Sequence, residues 1–412
     1  MFITNISIKK VRHLKDVNIP LCDKKKKHLI ITGKNGSGKT SLLEAISIFL
    51  NSVTTSENPM KAIHGLQYYQ NRLKEIENGS ITVSEKEIRE TKEYIEFFQE
   101  QVKNTAAGIW LSMDCPLEDV RPAFEQGQFV VADYKADRIF SAIVPQHVEK
   151  VELKNEYLIQ DAPREQFIKY LLDMKMTQAL ADSSGKHDKA DQIKNWFTKF
   201  ESLLQTLFDD KSVKLDFDEE TFKFHIHMDG REPFDFNTLS SGYAAVLDIV
   251  VDLIIRMEKH TKRTFDFSIP GIVLIDEIET HLHLELQKKV LEFLTTVFPN
   301  IQFIVSTHSP FVLNSLPDVA IYDLEKHILV ENGLADVPYD GIVKGYFSAD
   351  TLSATLRQKY ERYKELADKT DLTEDDYEEI ADLELYLDEI PDYLALDITT
   401  EYQRLKNKMR VR

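Results

Sequence analysis

One stretch, HLIITGKNGSGKTSLLEAISIFL at residues 28–50, constrains this chain more than any other. It begins with the apolar and β-branched residues of a buried strand. It then passes through Gly33-Lys34-Asn35-Gly36-Ser37-Gly38-Lys39-Thr40 and continues with Leu42, Leu43, Ile46 and Phe49 at helical spacing. The eight residues satisfy GxxxxGK[ST] in the strand–turn–helix setting that gives the motif its meaning. Glycines let the backbone wrap around phosphate oxygens, so that N–H groups and a helix N-terminus face the negative charge. Asn35, Gly36, Ser37, Gly38 and Ser41 form or flank the cradle. Lys39 is placed to neutralise β- and γ-phosphates, and the Thr40 hydroxyl to ligate Mg²⁺. A chance glycine-rich turn is the bland alternative, and the flanking strand and helix argue against it.

A cradle of this kind needs carboxylates at the end of a neighbouring strand. Residues 271–277, GIVLIDE, form an apolar strand ending in Asp276 and Glu277, where an open α/β sheet presents its ligands. Asp276 is expected to hold Mg²⁺, mostly through water, and Glu277 to orient and deprotonate a water that attacks the γ-phosphate. Alone, a buried strand followed by a DE turn is a weak signal; downstream of the phosphate loop it gains force. A third strand, residues 303–307, runs into His308, which is placed to contact the γ-phosphate or the water.

LSSGYAAVLD, residues 239–248, sets two hydroxyls and a glycine directly before an apolar helix. A second phosphate-facing helix end is redundant beside a complete cradle, unless it binds another nucleotide or the far side of the same one.

Around these motifs lies an α/β frame with one interruption and one extension. Ile63, Leu66, Tyr69, Leu73 and Ile76 recur at threes and fours, ENGS turns the chain, and Ser84 with Glu87 makes a capping box. Ile88, Thr91, Ile95, Phe98 and Val102 follow, so residues 54–105 are expected to form an antiparallel helical hairpin of roughly two heptads per arm, inserted into a head of residues 1–53 and 106–345. GIWLSMDC, QFVVADY and HVEKVEL read as strands, residues 164–207 as helix broken at DSSGKHD, and VKLDFD with TFKFHIHMD as a strand pair. His225 and His227 then share one strand face and, without a third ligand, read as surface histidines rather than a metal site. Residues 346–412 read as an acidic helical region with apolar positions at Leu372, Ile380, Leu383, Leu385 and Leu387.

Composition narrows the function. The 412 residues, 42% of them hydrophobic, can bury a large core. Cys22 and Cys115 stand far apart, so neither a disulfide framework nor a zinc site is indicated. No segment reaches the ~18 apolar residues of a membrane span, and the N-terminus lacks a signal pattern, so a cytoplasmic protein is expected. A net charge of −18 opposes general polyanion binding.

GKNGSGKT, LSSGY, IVLIDEIETHLH and IVSTHSP, in this order, resemble the ATP-binding-cassette ATPases of the SMC, RecF and OLD type, over nearly the whole chain. The initial ISIKKVRHLKDVNI is similar to that group's strand–arginine–strand. The resemblance implies an α/β ABC-type P-loop ATPase head with the inserted hairpin and a helical C-terminal extension. It also implies a head-to-head homodimer enclosing two ATP molecules with Mg²⁺. Ser240 and Gly242, matching the signature motif, would contact the γ-phosphate held by the other subunit. Arg12 matches the arginine that approaches the nucleotide, residues 279–281 the D-loop, and His308 the switch histidine. Lys34 stands where a proline is frequent in SMC proteins, and Tyr243 where transporters carry glutamine or glutamate. No glutamine is assigned to the Q-loop.

LSSGYAAVLDIV, IDEIETHLH and STHSPFVL look like stand-alone ATPases of bacterial anti-phage systems such as Septu, PARIS and retron-associated relatives. These typically act with a separate nuclease or toxin. Only about a hundred residues follow His308, and they carry no DxD pair or HNH-like cluster. The reading that results is an ATP-hydrolysing sensor or regulatory subunit controlling an effector. The alternatives are a RecF- or SMC-like ATPase clamping DNA directly, and the ATPase of a transporter.

Overall fold

The computed structural model describes residues 1–55, 59–81, 83–138, 145, 147–338, 341–342, 354–369, 371–388 and 396–410. The chain divides into two compact units, Met1–Asp336 and Val337–Arg412.

In the first unit, β1 (Ile3–Val11) alternates buried Ile6 and Ile8 with less buried Asn5 and Ser7, the period-two pattern of a half-buried strand. It turns at Arg12 into β2 (Leu14–Pro20) and pairs on its other edge with β4 (Ile109–Met113), giving an antiparallel sheet of order β2-β1-β4. The central sheet contains β3 (His28–Thr32), β5 (Val130–Tyr134), β8 (Gly271–Ile275), β9 (Ile301–Ser306), β10 (Val319–Asp323) and β11 (Ile328–Val330). Its order is β11-β10-β3-β9-β8-β5, parallel throughout except for β11. β8, β9 and β10 are buried at every position, as parallel strands covered on both faces must be. Register sets Ile31 beside Ser306 and Ile275 beside Val305, so the carboxyl ends of β3, β9 and β8 come together.

Helix α1 (Lys39–Thr55) turns Leu42, Ile46 and Phe49 into a core shared by both sheets, with Phe49 edge-on to Trp110 at 5.3 Å. Buried Gln302 of β9 joins the sheets by accepting from Ile3 N at 2.7 Å and donating to Ile3 O and Lys27 O at 3.0 and 2.8 Å. Each of these backbone groups would otherwise lack a partner in a dry interior.

Between α1 and β4 in the chain come α2 (Pro59–Glu77) and α3 (Glu85–Ala106), packed on each other. Tyr69 of α2 stacks on Tyr94 and Phe98 of α3 at 4.7 and 5.8 Å. At the start of α3, Ser84 N donates to Glu87 Oε2 at 3.0 Å and Glu87 N donates to Ser84 Oγ at 3.4 Å, the reciprocal cap. The side chains of Ile63 and Val102, two of the expected stripe positions, lie outside the described ones.

Helices α4 (Leu117–Glu125), α5 (Phe167–Ser183) and α6 (His187–Phe208) follow, α5 and α6 separated near the expected break. HVEKVEL is not a strand: its alternation finds no pairing strand among the described residues, and Val148 is left exposed. β6 (Lys214–Asp218) and β7 (Lys223–His227) pair antiparallel, with Phe224 and Ile226 buried and both histidines on the opposite face, His227 3.8 Å from Asp216. Helices α7 (Ser241–Thr261), α8 (Leu284–Val297) and α9 (Pro310–Leu313) complete the unit.

In the second unit, α10 (Ala354–Asp368), α11 (Glu374–Asp388) and α12 (Leu396–Arg410) enclose Tyr363, Leu366, Leu383, Leu387 and Tyr402. Leu385, expected among the apolar positions, is 67% exposed: it lies two residues from both Leu383 and Leu387, a spacing that puts it off their helix face. Residues 346–353 lie outside the described ones. Among the described residues no helix is long and apolar enough to cross a membrane.

Candidate functional site

The phosphate loop joins β3 to α1 with Gly33, Gly36 and Gly38 at φ 136°, 82° and 100°, backbone open to glycine. A Cβ on Gly33 would lie 2.9 Å from Ser37 Oγ, and one on Gly38 would lie 3.1 Å from Leu14 and 3.2 Å from His13. The β1–β2 turn thus leans on the loop, and a His13 ring nitrogen hydrogen-bonds Ser37 O at 3.0 Å. Ser37 Oγ is buried with no hydrogen-bond partner inside the cradle, an unused polar atom of the kind an anionic group satisfies. Lys39 is 6% exposed and donates to Gly33 O and Lys34 O at 2.9 and 3.2 Å. Burial lowers its pKa, opposed by the charges of Glu277, Glu279, Asp276 and Asp323. Lys34, in the position where a proline is frequent, reaches Glu325 after β10 at 2.7 Å.

The carboxylates follow β8 as expected. Asp276 is buried and Glu277 partly exposed. Ser306 at the end of β9 serves both, donating from Oγ to Asp276 Oδ1 and accepting from Glu277 N, the latter at 2.8 Å. Glu277 has φ 44°, uncommon for a residue with a side chain, and Thr280 Oγ1 donates to its Oε2 at 3.3 Å. His308 is partly exposed; its backbone N donates to Glu279 Oε1 at 2.6 Å, and burial followed by the Lys39 charge lowers its pKa, which favours the neutral ring at neutral pH. Lys39, Asp276, Glu277 and His308, from three neighbouring strand ends, therefore share one electrostatic site.

Thr40 is exposed at the mouth and Ser41 buried beneath it, with Asn35 and Gly36 on the outer curve of the loop. An exposed hydroxyl in α1 and a buried carboxylate are the oxygen donors that suit a small, hard cation. Arg12 stands at the β1–β2 turn, exposed, 3.7 Å from Glu44 of α1. Ser240 is the N-cap of α7, exposed, with no side-chain cap hydrogen bond. Gly242 is buried: a Cβ there would lie 2.9 Å from His281 O, so the signature helix packs directly on the loop after Glu277.

Two contributors were missed in the sequence. Ser306 looked like part of an apolar strand; its spacing before His308 was the only available signal. Arg138 follows β5, and its 5% exposed guanidinium donates from Nη1 to Asp276 O at 2.7 Å and from Nη2 to Glu277 O and Ile278 O at 2.9 and 3.3 Å. Nothing in its local sequence marked it, because its partners lie almost 140 residues downstream.

Comparison with known proteins points to ATPases. A family model described as "AAA ATPase domain" matches residues 1–166, and one described as "AAA domain, putative AbiEii toxin, Type IV TA system" matches residues 162–314. Over these two successive stretches the chain is similar to ATPase domains. It is similar to the Septu protein PtuA of Bacillus mycoides (strain KBAB4), 24% identical over 80% of this chain and 41% of that one. It is also similar to the Retron Vc95 probable ATPase of Vibrio cholerae serotype O1 biovar El Tor, 27% identical over 70% of this chain and 66% of that one. The chain thus spans less than two thirds of the length of either relative. Among solved structures, an SMC head bound to the C-winged helix domain of ScpA matches 82% of this chain and 100% of that one, with 14% identity and a TM-score of 0.40.

Proposed function

We propose that this chain binds ATP with Mg²⁺, hydrolyses it to ADP and phosphate, and acts in the bacterial cytoplasm as the regulatory or sensor ATPase of an anti-phage defence complex, controlling a separate effector such as a nuclease or toxin. The observation that carries the reading is the meeting of Lys39, Asp276, Glu277 and His308 at the carboxyl ends of β3, β8 and β9. The similarity to Septu and retron ATPases supports the defence role.

In this reading Asn35, Gly36, Ser37, Gly38, Lys39 and Ser41 bind the phosphates, and Thr40 and Asp276 hold the metal, which neutralises charge on the transferred group. Glu277 orients the water and accepts its proton, and neutral His308 holds the same water or the γ-phosphate oxygen. Arg12 approaches the nucleotide in the same subunit. Ser240 and Gly242 complete the site across a head-to-head homodimer. The head comprises residues 1–53 and 106–345, leaving the 54–105 hairpin and the acidic 346–412 region as surfaces for a partner, the latter suited to a basic one.

Lys39→Ala is expected to abolish ATP binding in calorimetry. Glu277→Gln is expected to bind ATP as the parent does and to lose roughly 10²–10⁴-fold in turnover. Affinity purification of Glu277→Gln from its own host with ATP and Mg²⁺ should then recover a stoichiometric nuclease or toxin-like protein. Turnover by Glu277→Gln at the parental rate would refute its assignment as base. Recovery of nuclease-sensitive DNA with no protein would replace effector control by direct DNA clamping.

A further inference from the structure

The turn after β8 presents three consecutive carbonyls, Asp276 O, Glu277 O and Ile278 O, to a single guanidinium. Glu277 sits in the left-handed region at φ 44°, a conformation that costs on the order of 1–3 kcal/mol and persists only where its surroundings impose it. Two groups impose it here. Ser306 Oγ holds the amide of Glu277 from the β9 side, and Arg138 holds the carbonyls from the β5 side. Arg138 is itself anchored by its bond to Lys135 O at 2.9 Å and is 5% exposed, so its charge needs a counter-ion. The charge of Asp248, 1% exposed and on α7, offsets part of the cost of burying it. Asp248 is held in turn by Arg164 Nε at 2.7 Å.

The geometry points to Arg138 as a positioning residue for ATP hydrolysis: its guanidinium holds the turn that aims Glu277. The inference rests on the reading of Glu277 as the base. The planar fork matters, since it reaches three acceptors at once; an ammonium group at the same place would keep the charge and lose the geometry. The clamp touches no residue of the phosphate cradle and reaches Asp276 only at its main-chain oxygen, so its effect falls on the rate of reaction rather than on ATP binding.

The test uses the full chain with Arg138→Gln and Arg138→Lys. Arg138→Gln should lose roughly 100-fold in kcat with unchanged ATP affinity, the scale of effect expected when a reacting group is displaced by about an ångström. Arg138→Lys should fail to restore the rate. Amide hydrogen exchange over residues 277–281 should quicken in Arg138→Gln while that of β8 is unchanged.

Parental kcat and exchange in Arg138→Gln would overturn the inference, as would full rescue by lysine or a parallel loss of ATP affinity. Should Arg138→Gln fail to fold, Arg138→Lys decides by the same readings. An inactive Glu277→Gln beside a fully active Arg138→Gln overturns this inference and spares the function proposed above. An active Glu277→Gln overturns the role proposed for Glu277 and with it the catalytic part of this inference, and the exchange data alone then decide whether Arg138 holds the turn.

Discussion

At the scale of single residues, the first unit carries charge in places where burial sets its behaviour. Asp252 of α7, fully buried, accepts from Arg256 Nε at 2.7 Å and from Tyr134 OH at 2.8 Å, while Arg256 Nη1 donates to Val131 O, Tyr157 O and Leu158 O. Removing one partner of such a pair leaves a buried charge uncompensated. Glu258, two turns on, differs: it accepts from Tyr170 OH at 2.9 Å, yet burial pushes its pKa up to about 7. A carboxyl whose folded pKa is raised stabilises the fold below its unfolded value near 4.5 and loses that contribution as pH climbs through about 7. His28 acts in the opposite sense lower down, since burial lowers its pKa to about 4 and its contribution is lost as pH falls through that region. The parental protein should therefore lose stability between pH 5 and 8 relative to Glu258→Gln, by on the order of 1–3 kcal/mol, in denaturant titrations at matched pH. Parallel pH profiles for the two proteins would show that Glu258 does not titrate in this window.

At the scale of elements, local sequence signals explain where helices begin better than where strands pair. The capping box at Ser84 and Glu87 forms as spaced, because both partners lie within one turn. Ser84→Ala should cost about 1 kcal/mol, read as faster amide exchange in the first turn of α3 with α1 unaffected. Equal exchange in both proteins would mean that packing further along α3, Tyr69 against Tyr94 and Phe98, holds the helix without the cap. HVEKVEL carries the alternation of a strand just as β6 and β7 do, yet only the latter two pair, since pairing depends on a neighbour that local pattern does not specify. The site elements were legible for a related reason: the loop at residues 33–40, the carboxylates after β8 and the histidine after β9 each sit where a strand ends. Parallel pairing then aligns strand ends automatically.

At the scale of the whole molecule, the proposed dimer makes the exposed N-terminus of α7 a working surface. Ser240 makes no cap hydrogen bond, so Ser240→Arg should leave the monomer folded and its ATP affinity intact. In the Glu277→Gln background it should abolish the ATP-dependent doubling of mass in light scattering; a dimer of undiminished stability would refute the trans role of the signature. What the sequence determined by itself was chemistry bound to local geometry: a phosphate cradle of glycines, a lysine on the first turn of a helix, carboxylates at the end of an apolar strand. These depend on contacts a few residues apart, and backbone conformation alone supplies them. Only the tertiary structure decided which distant groups hold that chemistry in place. Gln302 joining two sheets, Ser306 bridging the Asp276 carboxylate and the Glu277 amide, Gly242 against His281 and Arg138 across three carbonyls all join residues far apart in the chain or on separate strands. The reason is physical: a buried polar group must find partners wherever the packed chain brings them, and one sequence read along its length carries no record of who its neighbours will be.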